Sequence, residues 1–270
     1  MVEEYWGLKE KPFLNTADPR FTYRSDDFNE AYARIIYNIS EIGGGLTLIT
    51  GEIGCGKTFL ANAIKNDLEK AGHRVILITN PIFTQAGFLR WILEGFLEGS
   101  GIKVPRYRVR MLSLLESFLR ESVESGVKCV TMIDEAQVLK PKVLEEIRLL
   151  LNLETDKEKL LQIVLLGQPE MEKKIEKMPQ VRQRINVRFF LGPLSRKETM
   201  EYIDHRLKVA GAGKEIFTDD AVDKIYRFSK GIHRNINNLC QNALFAGYSM
   251  ELEKIDSNII DAVAEDLRMV

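Results

Sequence analysis

The sequence predicts an α/β protein, a parallel sheet covered by helices, joined to a smaller all-helical domain. Three observations predict it. Short apolar runs alternate with helical segments between residues 46 and 191, the rhythm of parallel strands joined by crossover helices. The first run, Leu46 to Thr50, leads directly into Gly51-Glu52-Ile53-Gly54-Cys55-Gly56-Lys57-Thr58, which fits G-x-x-x-x-G-K-T and opens a helical pattern. After Pro193 no strand is evident and only helical segments follow.

Composition narrows the class further. The chain has 270 residues, 45% hydrophobic and 29% charged, which is a globular and not a disordered composition. With 38 Lys and Arg against 39 Asp and Glu, a uniformly basic protein is excluded, though a local basic patch is not. Met1 to Lys11 has no basic end followed by an apolar run, so it does not read as a signal peptide. The apolar runs Leu46 to Thr50 and Leu160 to Leu166 fall far short of the ~20 residues that span a bilayer. A cytoplasmic location is expected unless a partner carries the chain to a membrane. Cys55, Cys129 and Cys240 are scattered, as are His73, His205 and His233, so neither a disulfide framework nor a metal site of protein ligands alone is expected.

The elements follow in order. Residues 1–29 are rich in turn formers and read as an arm laid over a domain. A helix is expected over Asn29 to Ile42, stopped by Gly43-Gly44-Gly45. Strands are expected at Leu46 to Thr50, Arg74 to Thr79, Cys129 to Ile133 and Leu161 to Leu166, with a fifth at Ile185 to Leu191. Helices between them fall at Lys57 to Lys70, Thr84 to Glu98, Tyr107 to Ser125 and Lys140 to Leu153. Ser195 with Glu198 three residues on resembles a capping box, and helices follow at Arg196 to Ala210, Asp219 to Ser229, Asn235 to Ala246 and Asp256 to Leu267. The expected division is an arm over 1–29, a nucleotide-binding α/β domain over 30–193 and a helical lid over 194–270.

The chemistry gathers at strand ends. Glycines in the loop let backbone N–H groups curl around phosphate oxygens, and the helix beginning at Lys57 aims its positive end at the anion. Lys57 is expected to reach the β- and γ-phosphates and Thr58 to place its hydroxyl on Mg²⁺. The whole run from Gly51 through Thr58 and Phe59 is the candidate nucleotide site, with Cys55 contributing a small side chain. A second apolar strand ends in Asp134-Glu135. The Asp suits Mg²⁺, directly or through water, and the Glu beside it suits deprotonation of an attacking water. Gln168, after the fourth strand, is the candidate sensor of phosphate state; in the usual strand order of ATPases a polar side chain there lies near the γ-phosphate, between the first and third strands. Arg182 and Arg184 precede the fifth strand, where an arginine can reach a neighbouring subunit's nucleotide. Two apart, they do not share a helix face, and Arg184 is favoured. Arg234 sits near a helix start, where the dipole disfavours a cation, which suggests a task such as touching the γ-phosphate. His233 reads as structural.

These residues together resemble an AAA+ ATPase, and more closely the ExeA/GspA-like family with the related ATPases encoded beside transposases. The resemblance covers nearly the whole chain. It rests on Tyr5-Trp6-Gly7-Leu8-Lys9-Glu10-Lys11-Pro12-Phe13, Asp18-Pro19-Arg20-Phe21, Ile133-Asp134-Glu135-Ala136-Gln137, Gly167-Gln168-Pro169-Glu170, Gln183-Arg184-Ile185, Glu198-Thr199, Tyr202 to Leu207, and Gly231 to Asn237 with Leu239-Cys240. The resemblance implies that ATP or ADP and Mg²⁺ are bound by Lys57, Thr58, Asp134 and Glu135. It makes Gln168 and Arg234 the two sensors and the arginine pair the trans-acting finger region. Tyr5, Trp6 and Phe13, aromatics in a segment expected to be exposed, either enclose adenine or pin the arm to the core. Cys55 and His233 depart from the family's usual residues without removing a catalytic group.

The family divides by task. Secretion members usually continue into a membrane span and a peptidoglycan-binding region, neither of which follows residue 270 here. The expectation is therefore a homo-oligomer, ring or filament, whose ATP-dependent assembly on duplex DNA regulates a transposase. The alternative is a secretion-pathway ATPase working with a membrane protein. Lys103, Arg106, Arg108 and Arg110 form one candidate DNA contact. The segment Lys173 to Arg188, with Lys174, Lys177, Arg182 and Arg184, forms another.

Overall fold

The computed structural model describes residues 1–16 and 18–269. In chain order its helices begin with α1 (Val2–Tyr5) and α2 (Asp26–Ser40), then β1 (Leu46–Thr50), α3 (Lys57–Lys70), β2 (Arg74–Ile78), α4 (Gln85–Phe96) and α5 (Arg108–Glu124). There follow β3 (Cys129–Ile133), α6 (Pro141–Leu150), β4 (Leu161–Gly167), α7 (Glu170–Glu176), α8 (Pro179–Arg182) and β5 (Ile185–Phe190). The chain ends in α9 (Arg196–Val209), α10 (Asp219–Ser229), α11 (His233–Ser249) and α12 (Ser257–Asp266). Internal contacts divide the chain into two units. One comprises Asp27–Gly51 and Lys57–Leu191; the other comprises Met1–Asp26, Glu52–Gly56 and Gly192–Val270.

The first unit is built on a five-stranded sheet in the order β2-β3-β4-β1-β5, every pair parallel. Strand residues alternate between two apolar cores because successive side chains point to opposite faces. Leu46, Leu48, Ile133, Ile163 and Leu165 enter one core with α4, α5 and α6. Ile49, Val130, Met132, Val164 and Leu166 enter the other with α2 and α3. The central strands β1, β3 and β4 are buried along their whole length, as a sheet covered on both faces requires. The edge strand β5 instead alternates half-buried and exposed residues. The helix expected over Asn29 to Ile42 starts earlier, at Asp26, and ends at Ser40. The short helices α7 and α8 lack a long apolar periodicity, and the sequence pattern did not announce them.

The second unit packs α9 to α12 around one apolar core, joined by the start of the chain. Ser195 caps α9 with its side chain accepting from the Glu198 amide, while the Glu198 carboxylate returns to the Ser195 amide, a complete capping box. A single parallel bridge between Phe217 and Ile255 is the only strand-like pairing among its described residues. The arm, expected to be an exposed segment, buries its aromatics, which fits the second of the two readings given for them, pinning to the core. Trp6 is 0% and Phe13 2% exposed, both inside the core of α9 to α12. The Trp6 indole N–H donates to the Leu244 carbonyl at 2.9 Å, and Tyr5 packs edge-on against it. The guanidinium of Arg206, 1% exposed, donates to the carbonyls of Pro12 at 2.5 Å and Leu14 at 2.9 Å and to the Tyr202 hydroxyl at 2.7 Å. The arm is thus pinned to the helical core by hydrogen bonds that a buried cation needs. Among the described residues no helix is long and apolar enough to cross a membrane.

Candidate active site

The G-x-x-x-x-G-K-T segment leaves β1 and enters α3 at Lys57. Two of its glycines are required by space. A Cβ on Gly51 would lie 2.4 Å from the Leu191 carbonyl oxygen. Gly54 has φ +86°, and a Cβ there would lie 2.7 Å from the Cβ of Arg234. The Arg234 amide, at the second residue of α11, lies 3.4 Å from the Gly54 carbonyl oxygen. Arg234, the candidate second sensor, therefore stands against the phosphate loop, with its own residue exposed. Glu52, Ile53 and Cys55 complete the loop, and Cys55 is buried.

Lys57 is buried, and its ammonium donates to the Gly51 carbonyl oxygen at 2.7 Å. Beside it in chain order, the Thr58 hydroxyl donates to Oδ2 of Asp134 at 2.6 Å. Phe59 turns the other way, into the apolar core of α2 and α3. Asp134 directly follows β3 and is 3% exposed. Its Oδ1 accepts the Glu135 amide at 2.9 Å, and its own amide donates to the Ile78 carbonyl at 2.8 Å, which holds the side chain in register with β2. Burial pushes the Asp134 carboxyl above its ordinary range, opposed by the hydrogen bond from Thr58. A buried carboxylate so placed gains from a cation. The donor set, one hydroxyl and one carboxylate 2.6 Å apart, is hard oxygen, the chemistry that suits Mg²⁺ with one or two protein ligands.

Glu135 is exposed and takes a left-handed backbone, φ 53°. That conformation costs a non-glycine residue about 1 kcal/mol or more and is typical of functional positions. It turns the Glu135 side chain away from the line of the strand. Oε2 of Glu135 accepts from the Gln137 carboxamide at 2.5 Å and from the Gln168 carboxamide at 3.5 Å. Gln168 follows β4, which lies between β1 and β3, and its side chain lies beside Glu135. The sequence shows Gln137 only as part of the acid motif. Its signal was a polar residue two positions past the candidate base, within side-chain reach of it in a tight turn.

The arginines divide. Arg182 ends α8 and is exposed, whereas Arg184 donates to the Asn152 side-chain oxygen at 2.6 Å. Of the basic stretch that runs into α5, Lys103, Arg106 and Arg110 are exposed and form no ion pair among the described residues. Arg108 instead holds both carboxylate oxygens of Glu146 at 2.9 Å. In the other basic segment Lys174 donates to the Gln137 and Leu139 carbonyls and Arg188 pairs with Glu172, leaving Lys173 and Lys177 exposed. Glu146 is 0% exposed and also accepts from Gln85 at 2.7 Å. Sequence reading missed it, although an acid three residues past Val143 and four before Leu150 stands on the apolar face of α6.

The sheet order, the phosphate loop and the acid pair define a P-loop nucleotide-binding unit. The family model for the AAA domain matches residues 41–175, half of the 270-residue chain, and the chain belongs to that family. More particularly, it is 36% identical over 273 residues to General secretion pathway protein A of Aeromonas hydrophila, covering 99% of this chain and 48% of that protein. It is 26% identical over 255 residues to an uncharacterised HTH-type transcriptional regulator of Methanocaldococcus jannaschii, covering 81% of this chain and 62% of the relative. The chain thus spans about half of the first of these relatives and less than two thirds of the second. Among solved structures, the ORC2 protein of Aeropyrum pernix in its ADPNP and ADP complexes matches with a TM-score of 0.69 at 19% identity, over 95% of this chain and 71% of that one. At that identity the likeness establishes the AAA+ fold.

Proposed function

We propose that the chain binds ATP with Mg²⁺ and hydrolyses it as a switch for self-assembly. The observation that carries the reading is the pairing of the Thr58 hydroxyl with the buried Asp134 carboxylate at 2.6 Å, directly after the phosphate-loop lysine. Lys57 exchanges the Gly51 carbonyl for the β- and γ-phosphates, and the glycine-rich backbone of 51–56 cradles the chain of phosphates. Thr58 and Asp134 hold the Mg²⁺, which when bound neutralises charge on the phosphoryl group. Glu135 takes the proton of the attacking water, and Gln168 senses the γ-phosphate. Arg234 is the second sensor, and its amide beside Gly54 supports that role. Arg184, or Arg182, from a neighbouring copy offsets charge in the transition state, so the site is complete only in an oligomer, ring or filament. In this reading residues 30–193 are the nucleotide-binding domain, 194–270 the lid and 1–29 the arm, and the protein works in the cytoplasm.

For the task of the assembly, the similarity to General secretion pathway protein A supports an ATPase that assists a membrane partner in building an envelope secretion pore. A second reading, assembly on duplex DNA to regulate a transposase, is favoured by the exposed Lys103, Arg106 and Arg110 with no paired acid among the described residues.

One experiment tests both levels. Glu135→Gln is expected to lower ATP hydrolysis by about 100-fold or more while ATP binding is kept. Hydrolysis equal to wild type overturns the base assignment. The same protein, loaded with ATP or ADP, is then sedimented with and without duplex DNA at moderate salt. ATP-dependent assembly that carries DNA supports the transposition reading, and assembly indifferent to DNA supports the secretion reading.

A further inference from the structure

We infer that Gln137 is a positioning residue that aims the Glu135 carboxylate and joins it to Gln168. The inference rests on the assignment of Glu135 as the base. Glu135 needs such a device. It is exposed, it sits in a turn and not in a strand, and a glutamate side chain has several rotatable bonds to hold. A base must keep its accepting oxygen within hydrogen-bond reach of the water, and a displacement of about 1 Å costs about 100-fold in rate.

Gln137 is built for the purpose. Its Nε2 donates to Oε2 of Glu135 at 2.5 Å, while its Oε1 accepts the backbone N–H of Gln168 at 3.0 Å. The carboxamide therefore uses both ends, one on the base and one on the residue after β4. The Gln168 side chain closes the circuit with its own Nε2 3.5 Å from the same carboxylate oxygen. Donors converge on Oε2, and among the described residues no hydrogen bond reaches Oε1, so the arrangement assigns one oxygen to anchoring and presents the other to water.

The anchor is itself held. Gln137 lies in the 3₁₀ turn Ala136–Val138, and its carbonyl and that of Leu139, directly after the turn, both receive the ammonium of Lys174 from α7. Its Oε1 stands 3.2 Å from the place a Cβ on Gly167 would occupy, so the close approach of the carboxamide to β4 uses the absent side chain. A shift of Gln168 on meeting a γ-phosphate is transmitted through one amide group to the base. Only a side chain with a donor and an acceptor at this length fits both bonds; leucine has neither, and glutamate sets a second carboxylate against Glu135.

The test compares Gln137→Leu, Gln137→Glu, Gln137→Asn and the wild type for ATP affinity, steady-state hydrolysis and thermal midpoint. Gln137→Leu and Gln137→Glu are expected to lower kcat by about 10-fold or more, with nucleotide affinity changed by less than about twofold. Gln137→Asn, which keeps the donor and acceptor, is expected to recover part of the loss. The decisive readout is coupling. In a Glu135→Gln background, Gln137→Leu is expected to cause no further loss, because its whole effect passes through Glu135. An unchanged kcat in Gln137→Leu overturns the inference, and so does a raised one, which makes Gln137 a brake. Equal loss in both backgrounds also overturns it, by showing a structural role. If Glu135→Gln itself hydrolyses normally, the base assignment has failed instead, which separates the two outcomes.

Discussion

His233 shows how a single residue carries its surroundings into solution behaviour. Its Nδ1 is buried with no hydrogen-bond partner, and its ring packs edge-on against Tyr202 at 5.0 Å. Burial first, then the Arg206 charge, lowers its pKa from 6.5 to about 4, with Glu198 pulling weakly the other way. The unfolded chain therefore takes up a proton at a pH where the folded chain does not. That contribution to stability is fully present above about pH 6.5 and is lost as the pH falls towards about 4, by as much as about 3 kcal/mol. Urea unfolding of wild type and His233→Gln across that window measures it, and the variant is expected to show the flatter pH dependence. At this scale the sequence was uneven as a guide. The phosphate-loop residues stood out because their types and spacing answer to phosphate chemistry alone. Gln137 did not, because its importance lies in two hydrogen bonds, one of them to a strand end 31 residues away.

Among the elements, α6 shows what tertiary context adds. Its apolar face carries Val143, Leu144, Ile147 and Leu150, and in the midst of them the buried Glu146. Arg108 at the start of α5 and Gln85 at the start of α4 both turn to it, so three helices are fastened at one carboxylate. Arg108→Ala leaves that carboxylate with a single neutral donor. Because Arg108 itself is part-exposed, the cost is set below that of a fully buried pair, at about 2 kcal/mol. Chemical denaturation is expected to show this loss, with a smaller one for Glu146→Gln, which keeps hydrogen-bonding capacity. The same bond removes Arg108 from the candidate DNA contact and leaves Lys103, Arg106 and Arg110 to that role. Strands and long helices were legible to within a few residues, since their periodicities are local. The short α7 and α8 were not, as their placement comes from packing on the 3₁₀ turn and α6.

For the whole molecule, the fold class followed from strand–helix alternation, and the sheet order β2-β3-β4-β1-β5 accounts for the meeting of Gln168 with the acid pair. Of the two readings of the arm's aromatics, the one that pins them to the core holds; the sequence left the choice open because burial of an aromatic segment depends on partners the local pattern does not contain. Trp6 bonds to a carbonyl 238 positions along the chain. Trp6→Ala is expected to cost about 3–5 kcal/mol. In thermal unfolding the loss is expected to fall on the helical unit, whose midpoint drops while that of the α/β unit is unchanged.

The same joining of residues 1–26 to the C-terminal helices sets an order of synthesis. On the ribosome the sheet is complete once Phe190 has emerged, and it can fold while translation continues. Trp6 and Phe13, made before any strand of the sheet, must wait for α11 before they leave water. From the synthesis of Trp6 until that of α11 the nascent chain carries a sticky, aromatic segment. That segment is a natural handle for a holding chaperone, and a truncated product ending before α11 would keep it exposed and be marked for degradation.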